Sequence, residues 1–92
     1  MNILHDQSDT KGTFYIKQND LKVAEMTYTK NGNYRIIIDH TEVSESQKGK
    51  GLGKKLIYHV ANYAREMNIK ILPLCPFTRR IFQQDKDLHD VT

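Results

Sequence analysis

Between positions 48 and 53 the 92-residue chain runs Lys48-Gly49-Lys50-Gly51-Leu52-Gly53, with Lys54 and Lys55 directly after. Glycine at every second position leaves backbone without Cβ atoms, which can approach a ligand closely. The chemistry that suits such a run is capture of an anion. Unpaired N–H groups, a helix N-terminus and nearby ammonium groups all favour negative charge. Two familiar phosphate loops do not fit the spacing. G-x-x-x-x-G-K-[ST] requires a second glycine where Lys54 follows Gly49, and G-x-G-x-x-G fails at Lys54 or Leu56, depending on the glycine counted first.

Three other residues could carry bond-making or proton transfer. Cys75 directly precedes Pro76, which suits the first position of a helix, and a thiol at a helix N-terminus can have its pKa lowered and act as a nucleophile. A buried cysteine serving as a small apolar residue reads equally well. His40 and Glu42 are candidates for a general base, since alternation along an extended strand places them on one face. A strand-end hydrogen bond or ion pair is the plainer reading of that pair. Asp39 and Thr41 are expected to face away.

The elements that must position these residues follow from periodicity. Phe14 and Ile16 alternate with polar residues, Asn19-Asp20 makes a turn, and Leu21, Val23, Met26 and Tyr28 form a second strand. Asn31-Gly32 signals a hairpin into a third strand, 34–43, rich in β-branched residues. Along it Ile36, Ile38, His40 and Glu42 fall on one face, and Ile37, Asp39, Thr41 and Val43 on the other. Apolar residues on both faces predict a central strand covered on two sides, with a polar end open to ligand. The period then changes to 3.6: Leu52, Leu56, Ile57, Val60, Ala61, Ala64 and Met67 make one helical stripe that Asn68 stops. Residues 69–74 read as a strand returning parallel to 34–43 through a βαβ crossover, Pro76 opens a second helix, and 83–92 is expected to fray.

Composition narrows the class. The chain reads as a single domain, with 38% hydrophobic and 27% charged residues and a formal charge of +3. No apolar run reaches the roughly 20 residues of a membrane span and the first residues do not read as a signal peptide, so the cytoplasm is the default location. One cysteine and four scattered histidines offer no metal-ligand spacing. The lysine cluster could serve nucleic acid, but its lysines are not interleaved with aromatic residues, which ranks that partner below an anionic cofactor.

The loop resembles the acetyl-CoA motif of the GNAT superfamily, [R/Q]-x-x-G-x-[G/A], at every position except the first, where Lys48 replaces arginine or glutamine. The resemblance extends over about residues 13–84. His40-Thr41-Glu42-Val43 before the loop and Pro73-Leu74-Cys75-Pro76-Phe77 after the helix look like the short, YjdJ-type branch. It implies a mixed α+β fold, an antiparallel meander joined through the crossover to a parallel strand pair, with helices packed on the sheet. It also implies acetyl-CoA or coenzyme A as cofactor, bound by Val43, Lys48, Gly49, Lys50, Gly51, Leu52, Gly53 and Lys54. The pantetheine arm would enter where the strands ending near Val43 and Leu74 splay apart. The activity implied is acetyl transfer to an unidentified amine or protein acceptor, with Cys75 offering a route through an S-acetyl intermediate. The alternative is a non-catalytic coenzyme-binding module or sensor.

Overall fold

Asn19 and Asp20 both adopt left-handed backbone (φ 53° and 66°) in the computed structural model, which describes residues 2–92. Two consecutive left-handed residues match the right-handed twist of flanking strands, so this pair closes the hairpin between β2 (Lys11–Gln18) and β3 (Leu21–Asn31). Gly32 (φ 67°) opens the next turn, into β4 (Arg35–Val43). With β1 (Ile3–Gln7) and β5 (Lys70–Pro73) the strands form a five-stranded sheet in sequential order. All neighbours are antiparallel except β4 and β5, which are parallel and joined by helix α1 (Leu52–Met67). The mixed α+β architecture anticipated from the sequence is the one observed.

The stripe of α1 predicted from its period is buried from Leu52 to Ala64, and Leu56, Ile57 and Val60 are inaccessible to solvent. Removing a leucine side chain of this kind from water is worth roughly 1.5–3 kcal/mol. Met67 departs from the prediction and is exposed, because it is the last helical residue before the left-handed cap at Asn68 (φ 56°). Helix α2 (Pro76–Gln84) lies on the same side of the sheet: Ile81 and Phe82 join the core that contains Ile36, Ile38 and Ile71.

Three expectations are corrected. The tail does not fray: Lys86–Val91 forms a 3₁₀ helix whose Leu88 and Val91 enter the core. Apolar residues three apart suit the three-residue turn of that helix, and Arg65 fastens it by bonding both Asp90 carboxylate oxygens and the Asp87 carbonyl. The sheet also extends before residue 13, where β1 adds an edge strand held by His5, whose ring stacks on Phe14 at 4.0 Å. Finally, β4 is not covered on both faces. Both helices pack on one face, and the other leaves Asp39, His40, Glu42 and Leu72 exposed.

The alternation along β4 fails for a specific reason. Tyr28 pairs with Ile38 but Thr27 pairs with His40, so Asp39 is an extra residue in a β-bulge. Beyond it every side chain changes face. Ile36, Ile38, Thr41 and Val43 therefore share the helix-covered face, opposite Met26 and Ala24, while His40 and Glu42 sit on the open one. Sequence alternation had paired these residues the other way.

Candidate functional site

Val43 ends β4, a 3₁₀ turn (Glu45–Gln47) follows, and residues 48–53 lead into α1. Gly49 and Gly51 have φ of 84° and 76°, a region that disfavours side chains, and nothing lies within 4 Å of where a Cβ would be. Gly51 is the N-cap of α1, supplies no side-chain cap, and is followed by no acidic residue in the first turn. The first helical bond is Lys55 N–H to the Gly51 carbonyl at 3.0 Å. The amides of Leu52, Gly53 and Lys54 thus have no partner among the described residues, and they point outward with the positive end of the helix dipole. Gly53 serves another purpose. A Cβ there would lie 2.7 Å from the Phe77 ring, so its absence lets α2 pack against the first turn of α1.

A cleft of about 370 Å³ opens beside this loop. Val43, Lys48, Gly49, Gly51, Leu52, Gly53 and Lys54 line it, together with Thr41, Gln47 and Phe77; Lys50 does not. The cleft exists because β4 and β5 part. Their last ladder bond is Leu74 N–H to the Ile38 carbonyl at 3.1 Å, immediately before the bulge. Ser44 N–H bonds the Val23 carbonyl at 2.8 Å, which makes Val23 and Ser44 a hydrogen-bonded pair and Ala24 and Val43 a non-hydrogen-bonded one. The backbone N–H and C=O of Val43 consequently face away from β3, toward the cleft.

Lys48 Nζ lies 2.8 Å from Glu45 Oε1. This hydrogen bond holds the Glu45 carboxyl below its ordinary pKa and the Lys48 ammonium above its own. Both side chains are exposed, so the pair is a weak one that a better anion can displace. At the floor, Thr41 Oγ1 and Thr78 Oγ1 are 3.1 Å apart.

Cys75 is the N-cap of α2 and is buried. Burial raises its pKa, but hydrogen bonding from the amide and hydroxyl of Thr78 and from the amides of Phe77 and Thr41 outweighs that, and the net shift is downward. Cys75 does not line the cleft. His40 and Glu42 are brought together, with Nε2 3.5 Å from Oε2. They share the open face and lie outside the cleft lining.

Sequence reasoning overlooked Thr41, Gln47 and Phe77 as cleft residues. Thr41 was hidden by the bulge, and Gln47 reads as a polar residue before a loop although it is 7% exposed. Phe77 carried a signal, since a glycine in the first turn of a helix invites a large neighbour. Among the described residues no group of three His, Cys, Asp or Glu side chains could hold a metal, and no helix is long and apolar enough to cross a membrane.

Comparison with known proteins accords with this geometry. The family described as GCN5-related N-acetyl-transferase matches residues 13–91, and the chain belongs to that family. A GCN5-like protein from Staphylococcus aureus is 38% identical, with a TM-score of 0.74 over 98% of this chain and 87% of that one. A ribosomal-protein-alanine N-acetyltransferase from Brucella melitensis shares the fold at 21% identity and a TM-score of 0.70, over 84% of this chain and 62% of its own. An aminoglycoside N-acetyltransferase solved in complex with CoA shares it at 12% identity and a TM-score of 0.61, over 83% and 66%. The chain thus spans less than two thirds of the Brucella enzyme and about two thirds of the aminoglycoside enzyme. No protein of curated function matches its sequence.

Proposed function

We propose that the chain binds acetyl-CoA in this cleft and transfers its acetyl group to an amine. The observation that carries the reading is the row of unpartnered amides at Leu52, Gly53 and Lys54 behind a left-handed Gly51 cap, opening on a cleft beside Val43. These amides, with Lys48 and Lys54, suit a pyrophosphate. The free N–H and C=O of Val43 suit the amides of a pantetheine arm, as one more strand would. Family membership and the CoA complex of the aminoglycoside enzyme support the same ligand.

In the transfer a neutral amine attacks the thioester carbonyl, a C–N bond forms, the C–S bond breaks, and the amine proton passes to a base as the thiolate leaves. His40 and Glu42 would have to take that proton across the splay from the open face. In a two-step form, the Cys75 thiolate accepts the acetyl group first and the amine then takes it from S-acetyl-Cys75. The run Pro73-Leu74-Cys75-Pro76-Phe77 also leads us to place the chain in the short, YjdJ-type branch. A coenzyme-binding module without transfer is the second reading, favoured by the position of His40 and Glu42 outside the cleft lining.

Titration of the isolated protein with acetyl-CoA, followed through backbone amide NMR shifts, tests the binding. Shifts centred on residues 43–54 are expected, and their absence at millimolar ligand sinks the proposal. Intact mass after incubation separates the chemical routes. An added acetyl group lost in Cys75→Ala supports the two-step form. Turnover of an amine without that adduct supports direct transfer, and binding without either supports the module.

A further inference from the structure

We infer that Gln47 is a specificity contact of the cleft, whose side-chain oxygen accepts a hydrogen bond from an N–H or O–H donor on the pantetheine arm of the coenzyme. The inference rests on the acetyl-CoA reading and adds to it a residue outside the glycine motif. Gln47 ends the 3₁₀ turn before the loop, lines the cleft, and is 93% buried by its 7% exposure. Its Nε2 donates to Gln18 Oε1 at 2.8 Å, at the end of β2, which fixes which way the carboxamide points. Its Oε1 is shielded and has no hydrogen-bond partner among the described residues. A buried carbonyl left unpaired is costly and calls for an explanation.

Nothing nearby in the chain is placed to answer it. Lys48 is engaged by Glu45, and no donor among the described residues reaches Oε1. Phosphate oxygens only accept, so the part of the ligand over the loop would be repelled by a second acceptor. A pantetheine arm, in contrast, carries two amide N–H groups and a hydroxyl. It would run past the apolar residues that share the cleft lining with Gln47, among them Val43 and Phe77. The left-handed glycines at 49 and 51 let the loop edge adjust, so an arriving donor can reach Oε1 while Nε2 keeps its bond to Gln18. The loop thus supplies donors for the anionic end, and Gln47 supplies an acceptor for the uncharged end.

The test compares wild-type protein with Gln47→Leu and Gln47→Met, which keep bulk and remove the acceptor together with the Nε2 donor to Gln18. Calorimetry measures affinity for CoA and for adenosine 3′,5′-bisphosphate, which lacks the arm, and thermal unfolding is followed without ligand. The expected result is a CoA affinity about tenfold lower in both variants, with bisphosphate affinity unchanged and a cooperative unfolding transition that shows both variants folded. Unchanged CoA affinity in a folded variant overturns the inference, as does an equal loss for both ligands. Wild-type protein that binds no CoA would instead defeat the acetyl-CoA reading, and this inference with it.

Discussion

The aromatic corner around β1 and the glycine loop at the far end of β4 treat polar groups in opposite ways. At the corner, His5 stacks on Phe14, Tyr63 meets both rings edge-on at 5.0 and 5.3 Å, and His59 meets Phe14 at 5.4 Å. A polar exchange there is closed: His5 Nε2 and Tyr28 Oη are 2.5 Å apart. Burial pushes the Tyr28 phenol well above its ordinary pKa, so it stays protonated. Gly12 has no Cβ, and the Tyr28 ring occupies that space. At the loop, Gly49 and Gly51 face open space, three amides lack partners among the described residues and a buried carbonyl waits for one. Polar groups are satisfied where the core is anchored, and left open at the cleft proposed for the coenzyme. The corner's β1 half even lies before residue 13, where the family match begins.

Mutations that separate the two ends should do so with falling effect. Phe14→Ala at the corner should cost about 3–5 kcal/mol in denaturant unfolding, enough to unfold much of so small a domain. At low temperature the folded fraction should bind CoA with wild-type affinity; a specific affinity loss would break the separation. Gly51→Ala should cost only about 1 kcal/mol of stability through left-handed strain while removing most CoA affinity by calorimetry, because the Cβ and the strained cap disturb the amide row.

A smaller effect concerns pH. Burial lowers the His5 pKa below 6.5, helped by His59 and Lys30 and opposed by Asp6. The unfolded chain therefore binds more protons than the folded one below the ordinary value, so this contribution to stability is complete above pH 6.5 and lost as pH falls. His5→Phe should flatten that part of the unfolding-midpoint profile between pH 7 and 5 and leave the CoA affinity alone. Smallest is Glu45→Gln, which frees Lys48. CoA affinity should rise by no more than about twofold at low salt and the gain should vanish at high salt.

What the sequence made legible divides along the same line. Local signals were enough for the strands from Phe14 onward, the stripe of α1 and the glycine loop, because a period of 2 or 3.6 and a run of glycines are set by near neighbours. The face of Thr41, the burial of Gln47 and the anchoring of Leu88 were not local. Asp39 bulges because of how β3 pairs with β4, and no alternation pattern within β4 records that. Gln47 is buried by reaching Gln18, 29 positions away. β1 went unread because Ile3-Leu4-His5-Asp6-Gln7 shows little apolar alternation, and its hold on the sheet comes from an aromatic contact made by a histidine.

The bulge at Asp39 acts on β4 as an inserted letter acts on a reading frame. Deleting Asp39 would leave Ile36, Ile38, Thr41 and Val43 on the helix side and His40 and Glu42 on the other, since only the supernumerary residue is lost. The shortened strand would no longer bend, and it would be free to zip onto β5 until Pro76, which has no N–H to give. The cleft proposed for the coenzyme is thus held open by a single residue, and a one-codon deletion is the smallest change that would close it.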